Sequence, residues 1–287
     1  MRFDLRLALS LGAIASLGLL AGCGENLTHP AESHDAAVDD PDASTLTCIP
    51  NLDGQIDLSE LKPTLNAQAS YLVSPAGEQR KVDLVGTTGT DGNPVWEFSQ
   101  DFATDQIALI AATELTGKWY ASSFPDGQFV TPIDVQGLIE GIYKEDDHAF
   151  SLLGIASHDQ APAAGTTLVV YDKPIDLYRF PLKPGDAWVS AGQVTGGMID
   201  GLPYAGKDTY QVEDVAVGTL NIRDFTFTQA HRVKTTVTLQ PAAGASQVKR
   251  QDSFMFECFG EVVRATSNQG EQNDDFTTAA EVRRLGN

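Results

Sequence analysis

The sequence predicts an all-β protein, predominantly antiparallel, built as a curved sheet, half-barrel or sandwich with at most one or two short helices. Three observations carry that expectation. Nearly every apolar segment after residue 66 is short and rich in Val, Ile, Tyr, Phe, Trp or Thr. Clusters of Gly, Pro, Asn and Asp separate these segments. Long apolar stripes at helical spacing are absent.

Taken in order, a short helix is expected around Ser59–Leu65, followed by strands at Tyr71–Ser74, Val82–Val85, Val95–Phe98 and Trp119–Ser122. Val135–Ile139 fits helix or strand, and further strands follow at Phe150–Ile155, Leu168–Tyr171 and Tyr210–Val215. The clearest strand runs from Phe225 to Leu239, with Phe225, Phe227, Val233, Val237 and Leu239 on one face and mainly Thr, Arg and Lys on the other. His231 falls on the apolar-leaning face, as a core histidine does. Phe254–Cys258, Val262–Thr266 and Ala280–Leu285 complete the set. Turns are expected at Pro75-Ala76-Gly77, Asp91-Gly92-Asn93, Pro125-Asp126-Gly127 and Asp200-Gly201. The charged run Lys144-Glu145-Asp146-Asp147 suggests a boundary between an N-terminal β region, 48–145, and a C-terminal antiparallel β domain, 146–287, for which a half-barrel is one form.

Residues 1–22 read as a signal peptide. Arg2 and Arg6 supply a basic start, and the apolar run from Leu7 to Leu20 is about 14 residues, short of the roughly 20 that span a bilayer. The run ends in Leu20-Ala21-Gly22-Cys23, which resembles the lipobox of bacterial lipoproteins. That resemblance implies cleavage before Cys23, lipidation of its thiol and amine, and anchoring to the cell envelope. Gly24, where aspartate would favour inner-membrane retention, points by the same resemblance to the outer membrane.

Residues 24–47 carry six acidic residues, no Lys or Arg and almost nothing bulky and apolar. Such a stretch buries too little surface to offset its ordering entropy and reads as a disordered tether. The whole chain has a formal charge of −20, which becomes about −21 once Arg2, Asp4 and Arg6 are removed. A field of that sign disfavours nucleic acid, whose phosphates need clustered cations. It also disfavours the body lying flat on an anionic membrane.

With Cys23 assigned to lipid, Cys48 and Cys258 remain in an oxidising compartment with one pairing open to them. The disulfide would close a loop of about 210 residues, for which chain entropy allows on the order of 5 kcal/mol.

Tyr178-Arg179-Phe180-Pro181-Leu182, followed by Gly185 and Trp188, is similar to a strand start in secreted β domains of the lipoprotein-carrier type. The likeness implies a curved antiparallel sheet with an apolar concave face over about residues 166–287, and no ligand-contacting residue is carried over.

Candidate chemistry is sparse. Asn51, Asp53, Asp57 and Glu60 match ligand positions in the later part of an EF-hand loop, suggesting weak Ca²⁺ binding, but Ile49 stands where the first aspartate belongs and Pro50 disturbs the approach. The competing reading is an Asx turn at Asp53-Gly54 and a helix starting near Asp57, with Glu60 closing a capping box. The Gly-rich run 86–92 lacks a lysine and reads as a hairpin loop. Ser157 lacks the Gly-x-Ser-x-Gly frame, and no His-Glu-x-x-His or Cys-x-x-Cys occurs. A hydrolase would require His148 or His158 to meet several carboxylates in a cleft.

The expectation is therefore a non-enzymatic, lipid-anchored envelope protein without a cofactor. It would bind a hydrophobic ligand in a cavity formed by Phe225, Phe227, Val233, Phe254 and Phe256, or bind another envelope component. The alternative is a structural or adhesive spacer acting through exposed loops such as 86–93, 125–128 and 158–165.

Overall fold

A computed structural model describes residues 48–286. The readings placed on the signal peptide, Cys23 and the tether lie outside the described residues. The elements are α1 (Leu58–Leu61), β1 (Gln68–Val73), β2 (Arg80–Lys81), β3 (Thr87–Thr88), β4 (Pro94–Phe98), β5 (Gln106–Ala111) and β6 (Thr113–Glu114). After a 3₁₀ turn at Ala121–Ser123 come β7 (Phe129–Pro132), β8 (Ile139–Glu145), β9 (Ala149–Ser157), β10 (Leu168–Arg179) and β11 (Ala187–Ile199). The last five are β12 (Leu202–Ile222), β13 (Thr226–Pro241), β14 (Gln247–Phe256), β15 (Gly260–Ser267) and β16 (Thr278–Leu285).

These strands form one sheet that curves into a nearly closed barrel. From β6 to β16 each strand pairs antiparallel with the next, then β16 pairs with β1 and β1 with β5. The two ends of this order, β5 and β6, are joined in sequence by Ala112 alone. Arg283 of β16 reaches across the seam to the Ile133 carbonyl at 3.3 Å. The charged run 144–147 is therefore no domain boundary. It is the turn of the β8–β9 hairpin, where Asp146 accepts the His148 N–H at 3.0 Å, and the sheet continues through it.

Two layers cover the outside. The segment carrying β2, β3 and β4 lays Leu84, Trp96 and Phe98 on Leu220, Phe227, Phe254, Phe256, Val263 and Ala265. Trp96 meets Phe254 edge-on with ring centres 5.0 Å apart. Asp105 anchors this layer by receiving Arg80 at 2.9 Å and Arg284 at 2.6 Å, all three buried. The second layer is the β6–β7 connection, which packs Leu115, Tyr120 and Phe124 on Val130, Ile142 and Leu153. Residues 119–122, expected as a strand, instead form this turn. Trp119 donates to the Ser157 carbonyl at 2.9 Å, and Tyr120 donates a very short hydrogen bond to Glu140.

Inside, the barrel floor is packed by Ile56, Leu182, Trp188, Val212, Val233 and Met255. Ile56 enters from the chain start, exchanging backbone hydrogen bonds with Leu182 at 3.0 and 2.9 Å. A disulfide joins Cys48 to Cys258, with Cα atoms 5.5 Å apart. Cys258 sits in the β14–β15 turn at φ +67°, beyond the end of the strand to which its sequence had assigned it.

Two stability tests follow. Replacing both Cys48 and Cys258 by serine frees a separation of 210 residues, and calorimetry is expected to show a loss of about 2–5 kcal/mol; unchanged melting would mean the bond does not constrain the fold. Glu140, 3% exposed, receives Lys118 at 2.7 Å and lies 3.1 Å from His158. Burial alone would raise its carboxyl, but hydrogen bonds from Lys118, Tyr120 and His158 override this and hold it below the usual value of 4.5. Its stabilisation is thus complete above about pH 4.5 and is lost as the pH falls through the lower folded value. Glu140→Gln should cost about 2 kcal/mol at pH 7, with the gap from wild type closing below pH 4 in melting curves; a gap independent of pH would contradict this.

Candidate ligand cavity

A hollow of about 440 Å³ lies inside the barrel, lined by residues of β8 to β15. Its wall is mostly aliphatic and aromatic: Leu152, Ile155, Val169, Leu177, Ile199, Val237 and Leu239, with Tyr143, Tyr171, Tyr178, Tyr204 and Tyr210. The size falls within the roughly 300–1,000 Å³ typical of small-molecule sites. The hollow is partly open to solvent, with the exposed Lys249 at its lining, so water enters it when no ligand does.

Thr235, Lys249 and Gln251 interrupt this wall, as do two charged groups. Near one side Arg264 is held by Glu261 through Nε contacts of 2.8 and 2.9 Å, and Ser253 donates to the same carboxylate at 2.7 Å. Burial would lower the Arg264 guanidinium, but the Glu261 charge prevails and pushes it up. On the other side Asp208 is 4% exposed and accepts hydrogen bonds from Tyr171 at 2.7 Å and Tyr204 at 3.3 Å. Burial raises the Asp208 carboxyl above its ordinary range, and the two phenols only partly counter it. Burial likewise pushes the Tyr204 phenol up to about 12, helped by the Asp208 charge.

The backbone places these groups. Tyr204, Asp208 and Tyr210 alternate onto the inner face of β12. Tyr171 lies two strands away on β10, and β11 between them presents Gly192 opposite Asp208. A Cβ at Gly192 would stand 2.7 Å from the Tyr171 ring, so the missing side chain is what allows the ring to cross β11 and reach Asp208.

The residues expected to form a cavity do not line this one. Phe227, Phe254 and Phe256 pack outside the barrel beneath β4, Phe225 is 38% exposed, and Val233 belongs to the closed floor. The cause is a bulge. Between the pairs Gly218–Ala230 and Leu220–Phe227, β13 carries one residue more than β12, so Phe227 and Val233 point to opposite faces although their numbers share a parity. In β14, Lys249 and Gln251 face the hollow while Phe254 and Phe256 face out.

The EF-hand-like residues lie outside the barrel floor, where Asp57 and Glu60 cap α1. Glu60 receives the Asn51 amide at 2.8 Å and the Asp57 N–H at 2.9 Å, and Asp53 receives the Gln55 N–H at 3.1 Å. Among the described residues no group of three His, Cys, Asp or Glu is arranged to hold a metal ion. His231 is fully buried with Nδ1 2.7 Å from Asp214, while its Nε2 has no hydrogen-bond partner. His158 meets one carboxylate, Glu140, and His148 lies in the β8–β9 turn.

A second, more open hollow of about 480 Å³ runs along the outer face of β11 to β14. Its charges satisfy one another: Arg232 pairs with Asp252 at 2.6 Å, Lys234 with Asp275 at 2.7 Å, and Arg250 with Asp274. The inner hollow is the better candidate because its wall is mainly apolar with a few buried polar groups set into it. Comparison with family models, with curated proteins and with solved structures finds no match for this chain.

Proposed function

We propose that this protein is a non-enzymatic binding module, anchored through lipid on Cys23 at the cell envelope and most naturally at the outer membrane. It takes a ligand with an apolar body into its barrel. The observation that carries the reading is the hollow of about 440 Å³ within an otherwise packed interior, walled by aliphatic side chains and five tyrosines. Its place on the concave face agrees with the likeness to lipoprotein-carrier sheets in the Tyr178–Trp188 segment. Tyr178 lines the hollow, and Trp188, donating to the Asp176 carbonyl at 3.0 Å, helps close the floor below it.

The test is native mass spectrometry of the protein exported to an oxidising periplasm and gently purified. Wild type is expected to carry an extra mass that organic solvent extracts, and Val237→Trp, which narrows the hollow, is expected to reduce it while keeping its near-ultraviolet circular dichroism. Wild type that carries no such mass and takes up no added apolar fluorescent probe would overturn the proposal. Weight would then pass to a spacer or adhesive module acting through loops such as 86–93, 125–128 and 158–165.

A further inference from the structure

We infer that the Asp208 end of the cavity binds the ammonium group of a small organic cation, whose apolar body lies along the aliphatic wall. The inference rests on the cavity being the ligand site and adds the chemistry of the ligand's head. Asp208 is a buried carboxylate facing the hollow, and among the described residues no Lys, Arg or His forms an ion pair with it. Its two partners, Tyr171 and Tyr204, are hydrogen-bond donors without charge. A buried carboxylate in that state is costly, and a cation placed beside it would relieve the cost.

The surroundings suit a cation in a second way. The rings of Tyr171, Tyr204 and Tyr210 line the same end of the hollow as Asp208. Tyr171 and Tyr204 meet Asp208 through their hydroxyls, and aromatic rings beside a carboxylate are a means by which proteins hold ammonium and quaternary ammonium groups. The hollow's cationic side chains do not make it an anion site. Arg264 is matched by Glu261, which an anion would have to displace, and Lys249 is exposed. Gly192 supports the arrangement, because any side chain there would push Tyr171 off Asp208.

The experiment is calorimetric titration of the exported protein with three probes of equal chain length, n-octyltrimethylammonium, octan-1-ol and octanoate, below their micellar concentrations. The ammonium is expected to bind at least about tenfold tighter than the alcohol, and octanoate weaker than either. Asp208→Asn should bring the ammonium to the level of the alcohol and leave the alcohol unchanged. Gly192→Ala, which keeps the carboxylate but displaces Tyr171, should reduce the same preference and decides the matter should Asp208→Asn fail to fold. Alcohol and ammonium bound equally by wild type would leave the cavity as a ligand site and overturn the cation site. Binding of none of the three would overturn both.

Discussion

Closure of the sheet at Ala112 governs everything inside the barrel. β5 ends the strand order on one side and β6 begins it on the other, and one residue carries the chain between them. That short link brings the first and last edges of a long meander together, so exposed edge hydrogen bonds are reduced to the seam beside β7. With closure comes a concave face too large for its own side chains to fill. The floor is packed by residues from both ends of the chain, Ile56 among them, and the Cys48–Cys258 bond ties that entering segment to the β14–β15 turn. Above the floor the wall retreats and leaves the hollow.

The outer layers explain why so many bulky residues are missing from the cavity. A sheet of this length has two faces, and β11 to β14 leave much of the outer one to water, with Lys207, Gln211 and Glu213 exposed. Where the outer face is apolar, it is covered by the β2–β4 segment over Phe254 and by the β6–β7 connection over Ile142. Phe227, Phe254 and Phe256 therefore stabilise the outside of the barrel, and five tyrosines furnish the wall of the hollow. Tyrosine suits an enclosed hollow because its ring packs while its hydroxyl serves a buried partner such as Asp208.

Fold class was legible because β signals are local: alternation, branched and aromatic residues, and turn chemistry. Strands at Val95–Phe98, Phe150–Ile155 and Val262–Thr266 lie within observed strands, and the turn at Asp200-Gly201 joins β11 to β12. Other elements were hidden for physical reasons. β5 reads as a short apolar run without alternation, since Ile107 and Leu109 are exposed while only Ala108 is buried between them. Val82–Val85 carries branched residues but follows the two-residue β2 as a covering loop, its Leu84 carbonyl accepting the Trp96 indole N–H at 3.0 Å. The site was less legible still. The bulge at β13 reverses the face of Phe227 without any glycine or proline among residues 227–230 to mark it. Asp208 stands in an ordinary Lys-Asp-Thr stretch, and its partner Tyr171 is 37 residues away, brought to it only by the sheet and by Gly192.

Central to this account is a barrel interior left open for a ligand at Asp208. The most direct measurement is a crystal structure of the protein grown with n-octyltrimethylammonium. The account expects density for the ammonium beside the Asp208 carboxylate, within reach of the Tyr171 and Tyr204 rings, and the octyl chain along Val237 and Leu239. Density only in the outer hollow along β11 to β14, or Lys249 folded inward to pair with Asp208 and fill the space, would contradict it.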